Sequence, residues 1–305
     1  MLKVESLSRK FADKTAVNNI SFTVKPGVIT GLLGPNGAGK TTTMRLLTGY
    51  LEPTTGFISY KDRSLKGEEL LNFKSKLGYL PESAPLYPDM LVSEYLEYMS
   101  DARNVPADKK QERIAEMTEI CELATHISMP IGFLSKGFRQ RVALAGTLIH
   151  DPEIIILDEP TSGLDPNQIA HIRNVIRNLG KEKTVILSTH ILQEVEDICD
   201  EVIIISRGNI VANSTVKNLQ SGFKVYFAAK AKESEIRSIF KAPEFTEIET
   251  LNEKSEDGYT PYLITITENR PENVFKVLAN SQFSVRELRP YRKSLESIFE
   301  ELTRG

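Results

Sequence analysis

The stretch GPNGAGKTT, residues 34–42, separates two segments whose hydrophobic patterns differ. Before it, VITGLL has the continuous apolar character of a buried strand, and after it TMRLLTGY has the pattern of a helix that ends at Gly49. Gly34, Gly37 and Gly39 let successive backbone N–H groups curve around an anion, because no Cβ blocks its approach. The N-terminus of the helix adds its dipole. The pattern therefore predicts a phosphate site between a strand and a helix.

Lys40 and Thr41 close this loop with a cation and a hydroxyl. The lysine supplies a mobile positive charge for the outer phosphates, and the hydroxyl is a ligand for the Mg²⁺ that accompanies them. A structural glycine-rich turn is the alternative, but the full spacing is far more specific than a lone glycine motif. The residues predicted to bind the nucleotide here are Gly34, Pro35, Asn36, Gly37, Ala38, Gly39, Lys40, Thr41 and Thr42.

A second apolar run, IIIL at residues 154–157, ends in two adjacent carboxylates, Asp158 and Glu159. In a parallel sheet, ligands bind at the carboxyl ends of the strands. We therefore expect Asp158 to hold Mg²⁺ and Glu159 to polarise a water that attacks the terminal phosphate. A capping turn with two solvated acids is the structural alternative, and the phosphate loop upstream weighs against it.

His190 follows a third apolar run in the segment TVILSTH. A lone histidine is more often structural than catalytic. Its predicted place on the same sheet edge as Asp158 and Glu159 favours a role at the terminal phosphate or in orienting the water.

The segment LSKGFRQR offers another helix start, with Ser135 as its N-cap and Gly137 close behind. A capped helix start that contains glycine is a potential second anion site in the same chain.

These motifs, in this order, resemble those of the ATP-binding-cassette family over residues 1 to about 220. The resemblance implies a P-loop α/β fold with a mixed sheet core and a helical subdomain at about residues 83–150. It also implies ATP hydrolysis with Mg²⁺ in a head-to-tail dimer, with Lys40, Glu159 and His190 as catalytic residues. Ser135, Gly137 and Asp165 of the SGLD segment would then act on the opposite protomer's nucleotide. Phe11 matches the aromatic position that stacks on adenine, with a simple core residue as the alternative.

The chain departs from the commonest family pattern at three positions. Lys136 and Phe138 stand where glycine and glutamine are usual, so only Ser135 and Gly137 are carried over as contacts. Glu82, in the segment GYLPES, stands where a glutamine usually faces the metal and the attacking water. We expect Glu82 to be a metal and coupling residue.

The segment that follows Glu82 is rich in proline and tyrosine. In the family this region receives a short helix of a membrane subunit, and Tyr87 and Tyr95 suit such a contact surface. The motifs look most like the gliding-motility and multidrug exporter branch. The resemblance thus implies an ATPase subunit, as a homodimer or a heterodimer, that powers separate transmembrane permease subunits. A soluble family member that acts on nucleic acid or ribosomes is the alternative.

Composition bears on location and partners. The net charge is −3 with both signs interspersed, so no nucleic-acid partner is expected. The N-terminus MLKVESLSRKF lacks the apolar core of a signal peptide, and no apolar run is long enough to span a bilayer. We expect a cytoplasmic protein, peripheral on the inner face of the cell membrane. Cys121 and Cys199 are the only cysteines, and buried free thiols are expected.

The part of the chain from residue 221 to residue 305 has no recognisable catalytic cluster. Its hydrophobic patterns predict strand, helix, strand, strand, helix and strand, the order of a small ferredoxin-like α+β domain. A final amphipathic helix follows, with Leu295, Ile298, Phe299 and Leu302 on one face. A regulatory or dimer-stabilising role is a hypothesis for this domain.

Overall fold

The computed structural model describes residues 1–220, 224–251, 257–267, 270–291 and 294–303. The chain divides into two compact units, Met1–Val216 and Lys217–Gly305. The boundary expected after residue 220 falls next to a gap in the described residues. Across the described ranges, no helix combines the length and the apolarity that a bilayer crossing needs.

The first unit contains ten strands, seven α-helices and two short 3₁₀ helices within its described residues, and an eighth α-helix begins at its last residue. The strands are β1 (Leu2–Phe11), β2 (Lys14–Val24), β3 (Ile29–Leu33), β4 (Thr55–Tyr60), β5 (Arg63–Ser64), β6 (Leu77–Leu80), β7 (Ile154–Asp158), β8 (Thr184–Thr189), β9 (Glu201–Ser206) and β10 (Asn209–Thr215). The helices are α1 (Lys40–Leu47), α2 (Gly67–Ser75), α3 (Val92–Ala102), α4 (Lys110–Ile120), α5 (Lys136–Leu148), α6 (Pro166–Leu179), α7 (Leu192–Ile198) and α8 (Val216–Gln220).

The strands of the first unit form two sheets. One is antiparallel with the order β2-β1-β4-β5, and the other has six strands in the order β10-β9-β3-β8-β7-β6. In the second sheet, β9, β3, β8, β7 and β6 are parallel, and β10 is antiparallel to β9. One apolar cluster contains side chains of both sheets and of α1, among them Val4, Leu32, Met44, Ile156 and Ile186. The buried sheet therefore fixes the position of the loop that precedes α1.

The carboxyl ends of four neighbouring strands lie level with one another. Leu33 at the end of β3 pairs with Thr189 at the end of β8, and Asp158 at the end of β7 pairs with Ser188. Leu80 at the end of β6 pairs with Leu157. The loops that leave these strands consequently start from one edge of the sheet, where α/β proteins bind ligands.

Helices α3, α4 and α5, which follow β6 and precede β7 in the sequence, pack together. Tyr95 of α3 is buried against Gly146 of α5, where an added Cβ would lie 2.8 Å from the tyrosine ring. Burial raises the pKa of Tyr95 to about 12. The expectation that Tyr95 belongs to a contact surface is therefore wrong, because its helix turns that side chain inward. Tyr87 and Tyr98 are the exposed tyrosines of this region.

Both cysteines are buried free thiols, as expected from the sequence. Burial raises the pKa of the Cys121 thiol to about 12 and raises that of Cys199 as well. Neither thiol has the thiolate character that redox or metal chemistry requires.

His150, just beyond α5, is expected to make the fold sensitive to mild acid. Its Nε2 lies 3.2 Å from the carbonyl oxygen of Leu77, and burial, followed by the charge of Arg103, lowers the pKa of His150 to about 4. Between about pH 6.5 and about pH 4, His150 is protonated in the unfolded chain but not in the folded chain. The free energy of unfolding therefore decreases as the pH drops through this window. We expect a loss on the order of 2 kcal/mol over this window.

Chemical denaturation between pH 7 and pH 4 measures this effect. The variant His150→Gln keeps an Nε2–H for Leu77 but cannot titrate, so its stability should fall less over the same window. An equal fall in the two proteins would show that His150 is not responsible.

The described residues of the second unit form one four-stranded sheet. Its elements are β11 (Lys224–Ala229), α9 (Glu233–Ile239), β12 (Phe245–Thr250), β13 (Thr260–Ile266), α10 (Pro271–Ala279), β14 (Val285–Tyr291) and α11 (Leu295–Thr303). The sheet has the order β12-β13-β11-β14, and every pairing is antiparallel. Phe227, Tyr262 and Val274 belong to its own apolar cluster. Leu295 and Ile298 of α11 are buried, as the amphipathic pattern predicts.

Candidate active site

Two glycines let the phosphate loop, residues 34–42, pass close to neighbouring backbone. A Cβ added at Gly34 would lie 2.4 Å from the carbonyl oxygen of Ile205. Gly39 has a φ of +112°, and a Cβ there would lie 2.5 Å from the carbonyl oxygen of Ala16. Neither approach leaves room for a side chain, so these two positions require glycine.

The loop then turns directly into α1. Gly39 is the N-cap of this helix, and no side chain among the described residues caps the first turn. The Thr43 hydroxyl donates to the Gly39 carbonyl oxygen at 2.9 Å, and Gly208 donates its N–H to the carbonyl oxygen of Ala38 at the same distance. These bonds hold the loop in place while the first N–H groups of α1 are left for an anion.

Lys40 is almost fully buried, with 6% of its surface exposed. Its ammonium group donates to the carbonyl oxygen of Gly34 at 2.8 Å and to that of Pro35 at 3.4 Å. Glu159 Oε1 lies 3.4 Å from the same nitrogen. The loop and the end of β7 thus place a cation and a carboxylate side by side.

Glu159 also contacts His190. The Nδ1 atom of His190 lies 2.8 Å from Glu159 Oε2, and since a carboxylate accepts, Nδ1 carries the hydrogen. Glu159 adopts a φ of +51°, and its backbone N–H donates to the hydroxyl of Ser188 at 3.1 Å. The loops after β7 and β8 therefore hold the carboxylate and the imidazole in a defined contact.

Asp158 presents oxygen ligands beside the phosphate loop. Its Oδ1 accepts the Ser188 hydroxyl and lies 3.5 Å from the Thr41 hydroxyl. Its Oδ2 is buried and, among the described residues, has no hydrogen-bond partner. A buried, unsatisfied carboxylate oxygen next to a threonine hydroxyl fits Mg²⁺, which is bound through one or two carboxylates together with substrate phosphates.

A cavity of about 590 Å³ lies against the phosphate loop, Glu159 and His190, whereas Asp158 is not among its described lining residues. Glu82, after β6, and Phe11, at the end of β1, line the same cavity. Phe11 is 42% exposed, with the Arg9 guanidinium carbon 4.7 Å from its ring centroid. Exposure argues against the alternative in which Phe11 is a core residue. The remaining lining residues are Lys14, Ala16, Asn36, Gly37, Gly39, Lys40, Thr41, Thr42, Glu159, Ser162 and His190.

Ser135, Gly137 and Asp165 are absent from the described lining of this cavity. Ser135 is the exposed N-cap of α5 and accepts the N–H of Phe138 at 3.3 Å. Gly137 is buried, and an added Cβ there would lie 2.2 Å from the Gln168 side chain. Asp165 caps α6 by accepting the N–H of Gln168 at 3.0 Å. Within one chain, these residues organise two helix starts outside the described lining of the cavity.

Lys14 and Ala16 of β2 line the cavity but are missing from the sequence-derived site. The hairpin of β1 and β2 brings them next to the phosphate loop, about twenty residues further on, and no local motif marks them. A basic residue three positions after Phe11 was the one signal that the sequence offered.

Comparison with known proteins places these features in a family. A sequence profile of the ABC transporter family matches residues 17–162. YxlF, an uncharacterized ABC transporter ATP-binding protein of Bacillus subtilis, is 39% identical over 72% of this chain and 72% of its own length. YhcH, another such protein of that organism, is 32% identical over 99% of this chain and 96% of its own. Nod factor export ATP-binding protein I of Ralstonia nicotianae is 37% identical over 70% and 66%, respectively.

Solved structures show the same likeness. The structure of an ATP binding subunit of an ABC transporter has a TM-score of 0.66 at 28% identity, over 72% of this chain and 92% of that one. The cbiO1 protein of Clostridium perfringens, part of the transporter complex cbiONQ, has a TM-score of 0.65 at 28% identity, over 72% and 89%. The predicted P-loop cassette fold is thereby confirmed. The chain belongs to the ATP-binding subunits of ABC transporters, and it is an ATPase.

Proposed function

We propose that this chain is the ATP-hydrolysing subunit of a multicomponent exporter, which powers separate transmembrane permease subunits by ATP-dependent dimer closure. The observation that carries the hydrolytic part is the meeting of Lys40, Glu159 and His190 at the edge of the parallel sheet. The export part is supported by similarity to a relative that is named for Nod factor export.

In this proposal Lys40 neutralises the outer phosphates of ATP, since its buried ammonium group lies at the mouth of the phosphate loop. Glu159 accepts a proton from the attacking water as a general base. His190 holds the Glu159 carboxylate through its Nδ1 hydrogen and faces the cavity that receives the terminal phosphate. The backbone N–H groups at the start of α1 hold the remaining phosphate oxygens.

Thr41 and Asp158 would hold Mg²⁺, which when bound neutralises charge on the phosphates. Asp158 supplies the unpartnered Oδ2 and Thr41 supplies its hydroxyl. Glu82 reaches the same cavity from the loop after β6 and is proposed as a metal and coupling residue. Its exposed position suits a contact through water.

Removing the Glu82 carboxylate is expected to weaken the response to Mg²⁺. We expect Glu82→Ala to lower ATP hydrolysis about 10-fold and to raise the Mg²⁺ concentration that gives half-maximal rate, because an outer-shell ligand is lost. Steady-state phosphate release across a Mg²⁺ titration measures both quantities. The matched control is Asp89→Ala, an exposed acid in the same segment that is absent from the described lining of the cavity. An unchanged Mg²⁺ titration for Glu82→Ala would contradict this role.

Phe11 is proposed to stack on the adenine base. Its ring is 42% exposed and lines the cavity, as does Lys14 at the start of β2. A base needs such an exposed π-face.

Ser135, Gly137 and Asp165 are proposed to act on the nucleotide of a second protomer. Ser135 stands exposed at the capped start of the thirteen-residue helix α5, where backbone dipoles favour an anion. The second protomer is either another copy of this chain or a related ATPase. Dimer closure around two nucleotides would work as a two-state switch.

Tyr87 and Tyr98 are proposed as part of the surface that meets the permease. The two rings pack edge to face with centroids 5.5 Å apart, and both side chains are more than 40% exposed. An exposed aromatic pair is typical of the centre of a protein interface. This contact would keep the ATPase at the inner face of the cell membrane.

The deciding experiment is affinity purification of the Glu159→Gln protein from gently solubilised native membranes with ATP present. Mass spectrometry should identify a multi-span membrane protein in stoichiometric amount. The same purification with Lys40→Ala, which is expected not to retain ATP, serves as the control. Recovery in the soluble fraction with nucleic acid or ribosomes would overturn the transport proposal in favour of a soluble family member.

A further inference from the structure

Glu194 on α7 is a buried carboxylate outside the described lining of the cavity, with 1% of its surface exposed. Its two oxygens accept hydrogen bonds from two different threonines. The Thr189 hydroxyl donates to Oε2 at 2.6 Å, and the Thr161 hydroxyl donates to Oε1. One side chain therefore joins two separate segments of the chain.

Those two segments carry the proposed catalytic pair. Thr161 is two residues after Glu159, and Thr189 is directly before His190. Both threonines are buried, at 2% and 0% exposure. The link through Glu194 thus lies immediately behind the 2.8 Å contact of His190 with Glu159.

The Thr189 hydroxyl, next to His190, accepts one hydrogen bond and donates another. The backbone N–H of Ile191 donates to Thr189 Oγ1 at 3.0 Å, so the hydroxyl hydrogen of Thr189 remains for Glu194. These two bonds fix the backbone on both sides of His190. The bond from Thr161 fixes the turn after Glu159 to the same carboxylate.

A positively charged side chain lies close to Glu194. Arg173 of α6 has its Nη2 4.0 Å from Glu194 Oε1, while its Nη1 binds Asp197. A buried carboxylate is retained when it is paired and hydrogen-bonded. Glu194 satisfies both conditions.

We propose that Glu194 is a positioning residue, which holds the loop of Glu159 and the loop of His190 in register through Thr161 and Thr189. The inference rests on the proposed catalytic roles of Glu159 and His190. Loss of the link should let the carboxylate and imidazole drift apart and so lower the rate of hydrolysis. Nucleotide binding should survive, because the phosphate loop and Lys40 hold ATP through contacts that do not involve Glu194.

The test removes one hydroxyl at a time and replaces it with a methyl group, which changes the shape of the side chain little. We expect Thr161→Val and Thr189→Val each to lower kcat by on the order of 10-fold to 100-fold, with KM changed less than about 2-fold. Thr161→Ser and Thr189→Ser, which keep the hydroxyl, should retain most of the wild-type kcat. The double valine variant should lose less than the product of the single losses, because both bonds serve one carboxylate.

Glu196→Gln is the matched control, since Glu196 is exposed on the same helix. It should leave kcat unchanged. Equal kcat in wild type and in both valine variants would overturn the inference, and so would losses that serine fails to recover. Glu159→Gln, measured in parallel, separates a failure of the proposed catalytic assignment from a failure of the role proposed for Glu194. If Glu159→Gln hydrolyses ATP normally, the catalytic assignment itself fails; if it is inactive while the valine variants are active, only the role of Glu194 fails.

Discussion

Glu159→Gln is expected to hydrolyse ATP more slowly than the wild type by on the order of 10²-fold to 10⁴-fold, the range of a lost general base. The amide keeps the shape of the side chain but cannot accept a proton from water. Glu159 is 8% exposed and lies 3.4 Å from Lys40 and 2.8 Å from His190, so bulk solvent is a poor substitute for it. ATP affinity should be kept or increased, because a negative charge near the phosphates disappears.

Two measurements separate binding from chemistry in this variant. Phosphate release gives the hydrolysis rate, and equilibrium titration with a fluorescent ATP analogue gives the affinity. The control is Glu153→Gln, which makes the same change one residue before the same strand. Glu153 accepts hydrogen bonds from Lys61 and Tyr60 and lies 3.1 Å from Lys76, which together lower its pKa to about 2, and it does not line the described cavity. Hydrolysis by Glu159→Gln within about 10-fold of the wild type would rule out the base assignment.

Lys40→Ala is expected to abolish detectable ATP hydrolysis and to weaken ATP binding by on the order of 10²-fold or more. The ammonium group is buried beside the Glu159 carboxylate. Without it, the phosphates of ATP would face an uncompensated negative charge in a site that water does not screen. The Gly34 carbonyl oxygen would also lose its donor at 2.8 Å, so the loop itself should loosen.

The same titration and phosphate-release assays measure this variant. Lys25→Ala is the control, because Lys25 is 58% exposed and forms a surface pair with Glu201 outside the described cavity. Exposed pairs of this kind contribute little. ATP affinity of Lys40→Ala within a few-fold of the wild type, in a protein of unchanged Tm, would contradict the proposed phosphate contact.

The strands that carry the site could be predicted well from sequence. Parallel strands covered on both faces are continuous apolar runs, and β7 is buried over its whole length from Ile154 to Asp158. Because such runs stop where polar residues begin, the sequence also predicted that Asp158, Glu159 and His190 follow strands that end at one sheet edge. The glycine spacing similarly marked the phosphate loop and the start of α1 at Lys40.

Contacts between distant segments could not be predicted. Tyr95 and Tyr98 stand one helical turn apart, and which of them faces inward depends on where α5 packs. From sequence alone, Glu194 resembles an ordinary acid on an amphipathic helix, because its threonine partners are 33 and 5 residues away along the chain. Lys14 enters the cavity because a hairpin folds over the phosphate loop. In each case tertiary packing, and no local pattern, selects the neighbour.

The left-handed backbone of Glu159 has an evolutionary consequence. At a φ of +51° a residue with a Cβ is disfavoured by roughly 1 to 2 kcal/mol, whereas glycine adopts this conformation without strain. Random substitution at position 159 should therefore drift toward glycine or asparagine in any lineage that no longer needs ATP turnover. The backbone conformation therefore does not explain a glutamate at position 159, whereas the chemistry proposed for its side chain does.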